Sequence, residues 1–248
     1  MNNLLKQTLS ISVLSIFFGL AAIAAPAKKP YGLGIPISSG TGGAVRSIAN
    51  SLLIPLAPED GGRTATERPT FYWYLPSSNN FPYKVIFELR DPTDNNGTVI
   101  FKAEGIATNA GLYKLTLPQN SPALKPERVY LWQLRLRGST ASSNLQSIGS
   151  IVLTKVDEDM QKAIAKASTN NQKAQVFSDN GYWFDALNIY TSQIDSGSKD
   201  QTAAQMRASM IKEVFNSPTT GSPDEITNVT NLIEKINSVK ATELSAYK

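Results

Sequence analysis

The apolar residues of this chain change their period once, near Thr154, and no other feature restricts the possible fold as much. Before that point they recur every second residue, as in strands with one wet face; after it they recur at i, i+3, i+4 and i+7, as in amphipathic helices. The chain reads as two halves of different class.

In the first half, Val85, Phe87 and Leu89 alternate with Lys84, Glu88 and Arg90, with Ile86 as the one exception. Turn-forming residues follow from Asp91 to Gly97, and Thr98 to Ala103 returns with Val99 and Phe101 on one face, which predicts a hairpin. Gly111 to Leu117, Val129 to Arg137 and Gln146 to Leu153 repeat the alternation, and Leu52 to Ala57 and Thr70 to Leu75 complete the set. About seven short strands within about 100 residues is the count of an immunoglobulin-like β-sandwich.

In the second half, Met160, Ala163, Ile164 and Ala167 share a helical stripe behind an acidic first turn at Asp157, Glu158 and Asp159. Helices are expected at about 171–178, stopped at Asn180-Gly181, then at 182–193 and 200–215, the last with Ala203, Met206, Met210 and Val214 on one stripe. Ser222, Pro223 and Glu225 spell a capping box for a fifth, which carries Ile226, Val229, Ile233 and Ile236. The expected class is therefore α+β in two parts: an all-β immunoglobulin-like sandwich over 51–154, then a small α-helical bundle over 155–248. The link near Thr154 to Val156 is too short for the two to move independently.

Residues 1–24 have the layout of a cleaved signal peptide: Lys6, an apolar stretch from Leu9 to Ile23, and small residues at Ala22 and Ala24. The apolar stretch falls short of the roughly 20 residues that span a bilayer. The mature chain is expected in the periplasm, the outer envelope or the secreted space, with no membrane span of its own. Residues 25–50 form a Gly/Pro-rich leader that is either flexible or lies across a neighbour. They lack the Gly-Lys-Ser/Thr ending of a phosphate loop.

Histidine and cysteine are both absent from the 248 residues. That removes Ser-His-Asp and Cys-His catalysis, structural zinc sites, haem ligation and disulfide frameworks, and no cofactor or metal is expected. Carboxylate pairs, Ser-Lys pairs or hard metals are the chemistry left open. Asp91 to Gly97 looks superficially like a calcium loop, but Pro92 occupies a position where an acid is required. The formal charge of +4 is spread too thinly for a phosphate-tracking groove, so no nucleic-acid partner is expected.

The aromatic run Phe71-Tyr72-Trp73-Tyr74, with Tyr130 and Trp132 on another strand, reads mainly as core, with Trp73 and Trp132 inside and Tyr72 or Tyr74 showing a hydroxyl to solvent. Tyr72, Tyr74, Tyr182, Trp183 and Asp185 are the candidate partner-binding residues. No catalytic residue is proposed. Glu67-Arg-Pro-Thr-Phe-Tyr-Trp-Tyr-Leu-Pro76, Val129 to Leu136, and Asn180-Gly-Tyr-Trp-Phe-Asp-Ala-Leu187 together resemble a family of exported cyanobacterial proteins known as domain of unknown function 928. The resemblance spans about Leu52 to Tyr190 and implies an envelope or secreted protein, without carrying over an activity or a cofactor.

The leading expectation is a non-enzymatic binding or scaffolding module of the envelope or secreted space, with a protein or glycan partner. A carbohydrate-binding or carbohydrate-active protein using paired carboxylates is the second. An accessory subunit of a secreted assembly, its bundle gripping a partner peptide, is the third.

Overall fold

A computed structural model of the chain describes residues 29–35, 52–77, 81–93, 97–140, 143–197, 201–215 and 223–244. The expected signal peptide, most of the expected leader, Asn96 of the turn and the Ser222 cap lie outside these residues.

Among the described residues, nine strands form two mixed sheets. They are β1 (Ile54–Pro55), β2 (Gly62–Thr64), β3 (Thr70–Leu75), β4 (Tyr83–Asp91), β5 (Thr98–Ala107), β6 (Gly111–Thr116), β7 (Val129–Arg137), β8 (Leu145–Leu153) and β9 (Ala241–Glu243). Between β8 and β9 the described residues form five helices: α1 (Glu158–Lys166), α2 (Asn170–Asp179), α3 (Trp183–Asp195), α4 (Thr202–Phe215) and α5 (Pro223–Ser238).

The strand orders are β1-β3-β6-β9 and β2-β8-β7-β4-β5. This corrects the expected all-β immunoglobulin-like sandwich followed by a small α-helical bundle. Two pairings are parallel, β2 with β8 and β6 with β9, and β9 enters the first sheet only after the chain has passed through all five helices. The overall class is α+β, with sheet and helices interleaved. Both strands that the alternation missed, β2 and β9, are three residues long. That is too short for a period of two to show, and each is held by a partner far away in sequence.

The two sheets meet through aromatic rings. Phe71 on β3 lies 4.9 Å from Phe87 on β4 and 5.7 Å from Trp132 on β7, ring centre to ring centre. Trp73 and Trp132 are buried, as expected. Every residue of β3 is buried, because one face of the strand meets the five-stranded sheet while the helices cover the other. The expectation that Tyr72 or Tyr74 shows its hydroxyl to solvent is therefore corrected: both are interior.

The helices form where the pattern placed them, shifted by one or two residues at most ends. Asp157 caps α1 by accepting from the Met160 amide at 2.8 Å, and Thr169 with Gln172 makes a reciprocal capping box on α2. Gly181, at φ +77°, makes the turn from α2 into α3. The buried stripe of α4 runs through Ala203, Arg207, Met210, Ile211 and Phe215, rotated from the expected one so that an arginine lies inside.

Of the leader, residues 29–35 lie against the protein's own surface. Tyr31 is buried against Trp183 at 5.0 Å in an edge-on contact, and its hydroxyl hydrogen-bonds the Ser178 hydroxyl at 2.6 Å. Gly32 bridges to Gly62 on β2, and Gly34 donates to the Asp60 carboxylate at 2.8 Å.

Candidate functional site

Helix α3 joins the helical layer to the sheets, and its buried side chains, Trp183, Phe184, Ala186, Leu187 and Tyr190, show why. Burying each large ring is worth about 1.5–3 kcal/mol, which is enough to hold a polar first turn against a sheet edge. Trp183 also donates from Nε1 to the Leu56 carbonyl at 2.9 Å, satisfying its own polar atom in the interior.

Asp185, in the first turn of α3, reaches the loop after β2. Its carboxylate accepts from the Ala65 amide at 2.8 Å and from the Thr66 hydroxyl at 2.7 Å. Burial pushes its pKa upward, opposed by those hydrogen bonds. The notch beside it is lined by Thr64, Thr66, Arg68, Thr70, Asp185 and Asn188, among others, and leaves about 20 Å³ open to a water-sized molecule. That is room for about one water, not for a substrate. Arg68 has its Nε buried without a partner, while its Nη2 donates to the Ser121 carbonyl at 3.2 Å.

The structure brings four of the five candidate residues to α3 or to its contacts, and buries all five. The Tyr72 hydroxyl donates to Asn188 Oδ1 on α3 at 2.7 Å, and Tyr182, just before α3, donates to the Lys155 carbonyl at 3.1 Å. Trp183 and Asp185 belong to α3 itself. Burial raises the pKa of Tyr72, Tyr74 and Tyr182; a secondary contribution comes from the charge of Asp195 at Tyr72 and of Asp157 at Tyr182. These five side chains are engaged by their own chain.

A second polar seam, which the sequence did not single out, lies at the other end of α3. Asp195 accepts from Lys114 Nζ at 3.2 Å and from the Ala241 amide at 2.9 Å, so one carboxylate fastens both β6 and β9 to the helix. Nearby, fully buried Arg207 donates to Asn237 Oδ1 at 2.9 Å, to the Ile236 carbonyl at 3.0 Å and to the Thr191 hydroxyl at 3.3 Å. It makes no ion pair among the described residues. Burial lowers its pKa to about 10, against the opposing effect of the Asp195 charge, and it stays a cation at neutral pH.

Among the described residues the main helix contacts with the sheets fall on β2 and β3, which leaves the outer side of β4, β5 and β7 free of a packed helix. Val85, Phe87 and Leu89 of β4 point into the core, so Lys84, Ile86, Glu88 and Arg90 point out. Register then places Arg135 and Arg137 of β7, and Lys102 and Glu104 of β5, on the same outer face. Ile86, the exception to the alternation, is an apolar side chain on this otherwise charged face, and it is buried. Glu88 accepts from both Arg90 and Arg135, while Glu104 sits 2.6 Å from Lys84 and 2.7 Å from Lys102. The lysines hold the Glu104 carboxyl at a pKa of about 2. Lys84 and Arg137 are directly opposite each other across β4 and β7. Arg137 is exposed, and no carboxylate pairs with it among the described residues.

Asp91, at the head of the turn that only superficially resembles a calcium loop, is engaged by its own chain. Asp91 accepts from the Thr93 amide at 3.1 Å and hydroxyl at 2.6 Å, and its other oxygen accepts from Arg128. The Thr93 hydroxyl, ahead of Arg128, holds the Asp91 pKa below its usual value. No group of three or more acidic side chains suited to a metal occurs among the described residues.

Residues 39–219 match the family described as Domain of Unknown Function (DUF928), which covers well over half of the chain. The chain belongs to the DUF928 family. The match extends on both sides of the span that carried the resemblance, and takes in the second half of the Gly/Pro-rich leader at one end and α4 at the other. No curated protein matches this DUF928 member. A solved structure described as Astrotactin-2, a conserved vertebrate-specific and perforin-like membrane protein involved in neuronal development, aligns at 13% identity and a TM-score of 0.25. That alignment covers 77% of this chain and 37% of the other, so the chain spans well under half the length of that protein. A likeness this slight carries no argument. No described helix of the DUF928 chain is long and apolar enough to cross a membrane.

Proposed function

We propose that this protein is an exported, non-enzymatic binding module of a bacterial envelope, and that its contact surface is the open face of the five-stranded sheet. The observation that carries the reading is the charge on that face. Five cations, Lys84, Arg90, Lys102, Arg135 and Arg137, stand against two carboxylates, Glu88 and Glu104. Like charges directly opposite on neighbouring strands destabilise a sheet, and Lys84 with Arg137 is such a pair. A face that keeps this arrangement is suited to an anionic partner, drawn in by the excess of positive charge.

Contact through charge is also favoured over sugar stacking. All three tryptophans, Trp73, Trp132 and Trp183, are buried, which leaves no indole platform for a neutral ring. The layout of residues 1–24 supports export, and the family resemblance supports a cyanobacterial source.

The test is binding of the purified mature protein to immobilised polyglutamate and polygalacturonate across a salt series. Retention that weakens with salt and falls several-fold in Arg137→Glu supports the reading, and the better ligand separates a protein partner from a glycan one. Retention indifferent to Arg137→Glu, or turnover of a glycan that a carboxylate substitution abolishes in a folded protein, overturns it.

A further inference from the structure

Strand β5 is the edge of the five-stranded sheet, ten residues long, and among the described residues no strand pairs with its outer side. The two exposed large apolar side chains among those residues, Val99 and Ile106, both belong to it. An open edge of this length with uncovered aliphatic groups is a template for another strand, and proteins usually blunt such an edge with charges. Lys102 and Glu104 are the charges present on β5, one of each sign. They flank Ala103 symmetrically, on the same outer face.

We infer that β5 pairs antiparallel with β5 of a second copy of this chain, about a two-fold axis at Ala103. In that register Lys102 of each copy lies opposite Glu104 of the other, so the two charges that would repel an arbitrary strand form two reciprocal ion pairs. Ile106 of each copy falls against the Val99–Ile100 segment of the other, where a register shift between Leu89 and Arg90 marks a β-bulge in the β4–β5 ladder. One register therefore covers both exposed aliphatic side chains and gives each charge, already paired along its own strand, an opposite charge across the axis.

The alternatives are poorer. A shift by two residues in one direction sets Lys102 against Lys102, and in the other sets Glu104 against Glu104. A shift by one would turn core-facing Ala103 outward. The contact is isologous, as closed two-fold assembly requires, and joins two five-stranded sheets into one of ten strands, within the range open sheets reach. Lys102 is shared with the charged face proposed above, but the two readings fail separately: that face is tested by Arg137→Glu on β7, two strands in from this edge, and the edge by sedimentation.

The experiment is sedimentation of the purified mature chain at about 100 μM, where an interface of micromolar Kd is well populated. Wild type should sediment at twice the monomer mass. Lys102→Glu and Glu104→Lys should each be monomeric, since each places like charges opposite one another across the axis. An equimolar mixture of the two should regain the dimer as a heterodimer, because Glu at 102 then meets Lys at 104 and Glu104 meets Lys102. Circular dichroism of each variant confirms its fold, and recovery on mixing cannot come from a misfolded partner. A monomeric wild type, which would leave the edge to a strand from a different protein, overturns the inference. So does a dimer that survives Lys102→Glu, or a mixture that stays monomeric.

Discussion

At the scale of single residues, the contact of Gly149 with Trp132 is a tight constraint inside the core. The two are cross-strand neighbours on β8 and β7, and a Cβ built on Gly149 would lie 2.5 Å from the indole carbons. Gly149→Ala should therefore force the ring out of its place and cost about 1–3 kcal/mol, read as a lower urea midpoint with an unchanged slope. Asp185 offers a test with a sign. Its pKa is raised in the folded protein, so the folded state holds a proton that the unfolded state gives up between the ordinary carboxylate value and the raised one. Its contribution to stability therefore falls as pH rises through that window and is constant above it. Asp185→Asn should remove this slope from denaturation curves measured between pH 4 and neutrality, about. An unchanged slope would assign it to other groups. Glu104 acts in the opposite sense: its lowered pKa makes its contribution present above the ordinary carboxylate range and lost as pH falls through about 2.

At the scale of elements, Asp195 fastens a strand to a helix. Asp195→Ala removes the acceptor of both Lys114 and the Ala241 amide, at a cost of about 1.5–3 kcal/mol for hydrogen bonds to a charged group. Hydrogen exchange should show the loss concentrated in β9, with the β4–β7–β8 ladders still protected; uniform loss would mean that the seam is not local. Thr169→Ala removes the reciprocal cap of α2 and should cost about 0.5–2 kcal/mol by thermal melting. Elements with a strong period could be read from the sequence alone: β3 and β7 run from Thr70 to Leu75 and from Val129 to Arg137, as the alternation predicts. Gly62–Thr64 and Ala241–Glu243 could not, because three residues carry no period and their parallel partners are distant. Arg207 was hidden for a related reason. Helical stripes are read from apolar residues, and a buried cation satisfied by Asn237, Thr191 and a carbonyl leaves no apolar mark.

At the scale of the whole molecule, sheets and helices depend on each other. Trp183 from α3 closes on Leu56, Phe184 lies 5.7 Å from Phe71, and Tyr31 joins them from the leader. The full chain should therefore unfold in one transition, with near- and far-ultraviolet circular dichroism coincident in urea; two separated transitions would show the halves to be independent. The sequence placed Trp73 and Trp132 in the core correctly and located the turn at Gly181, but it could not tell that a helix layer covers the second face of β3, since a fully buried strand and a half-wet one with aromatic residues look alike. The open face was legible only in part. Alternation exposed Lys84, Glu88 and Arg90, while the opposition of Lys84 and Arg137 needed the register.

The late entry of β9 sets an order of events. Leu112 to Lys114 must wait for Ala241 to Glu243, so a ribosome has to finish all five helices before the four-stranded sheet can gain its last member. Pairing across so long a stretch of chain slows this step of folding, and the β6 edge stays open until the last residues of β9 arrive.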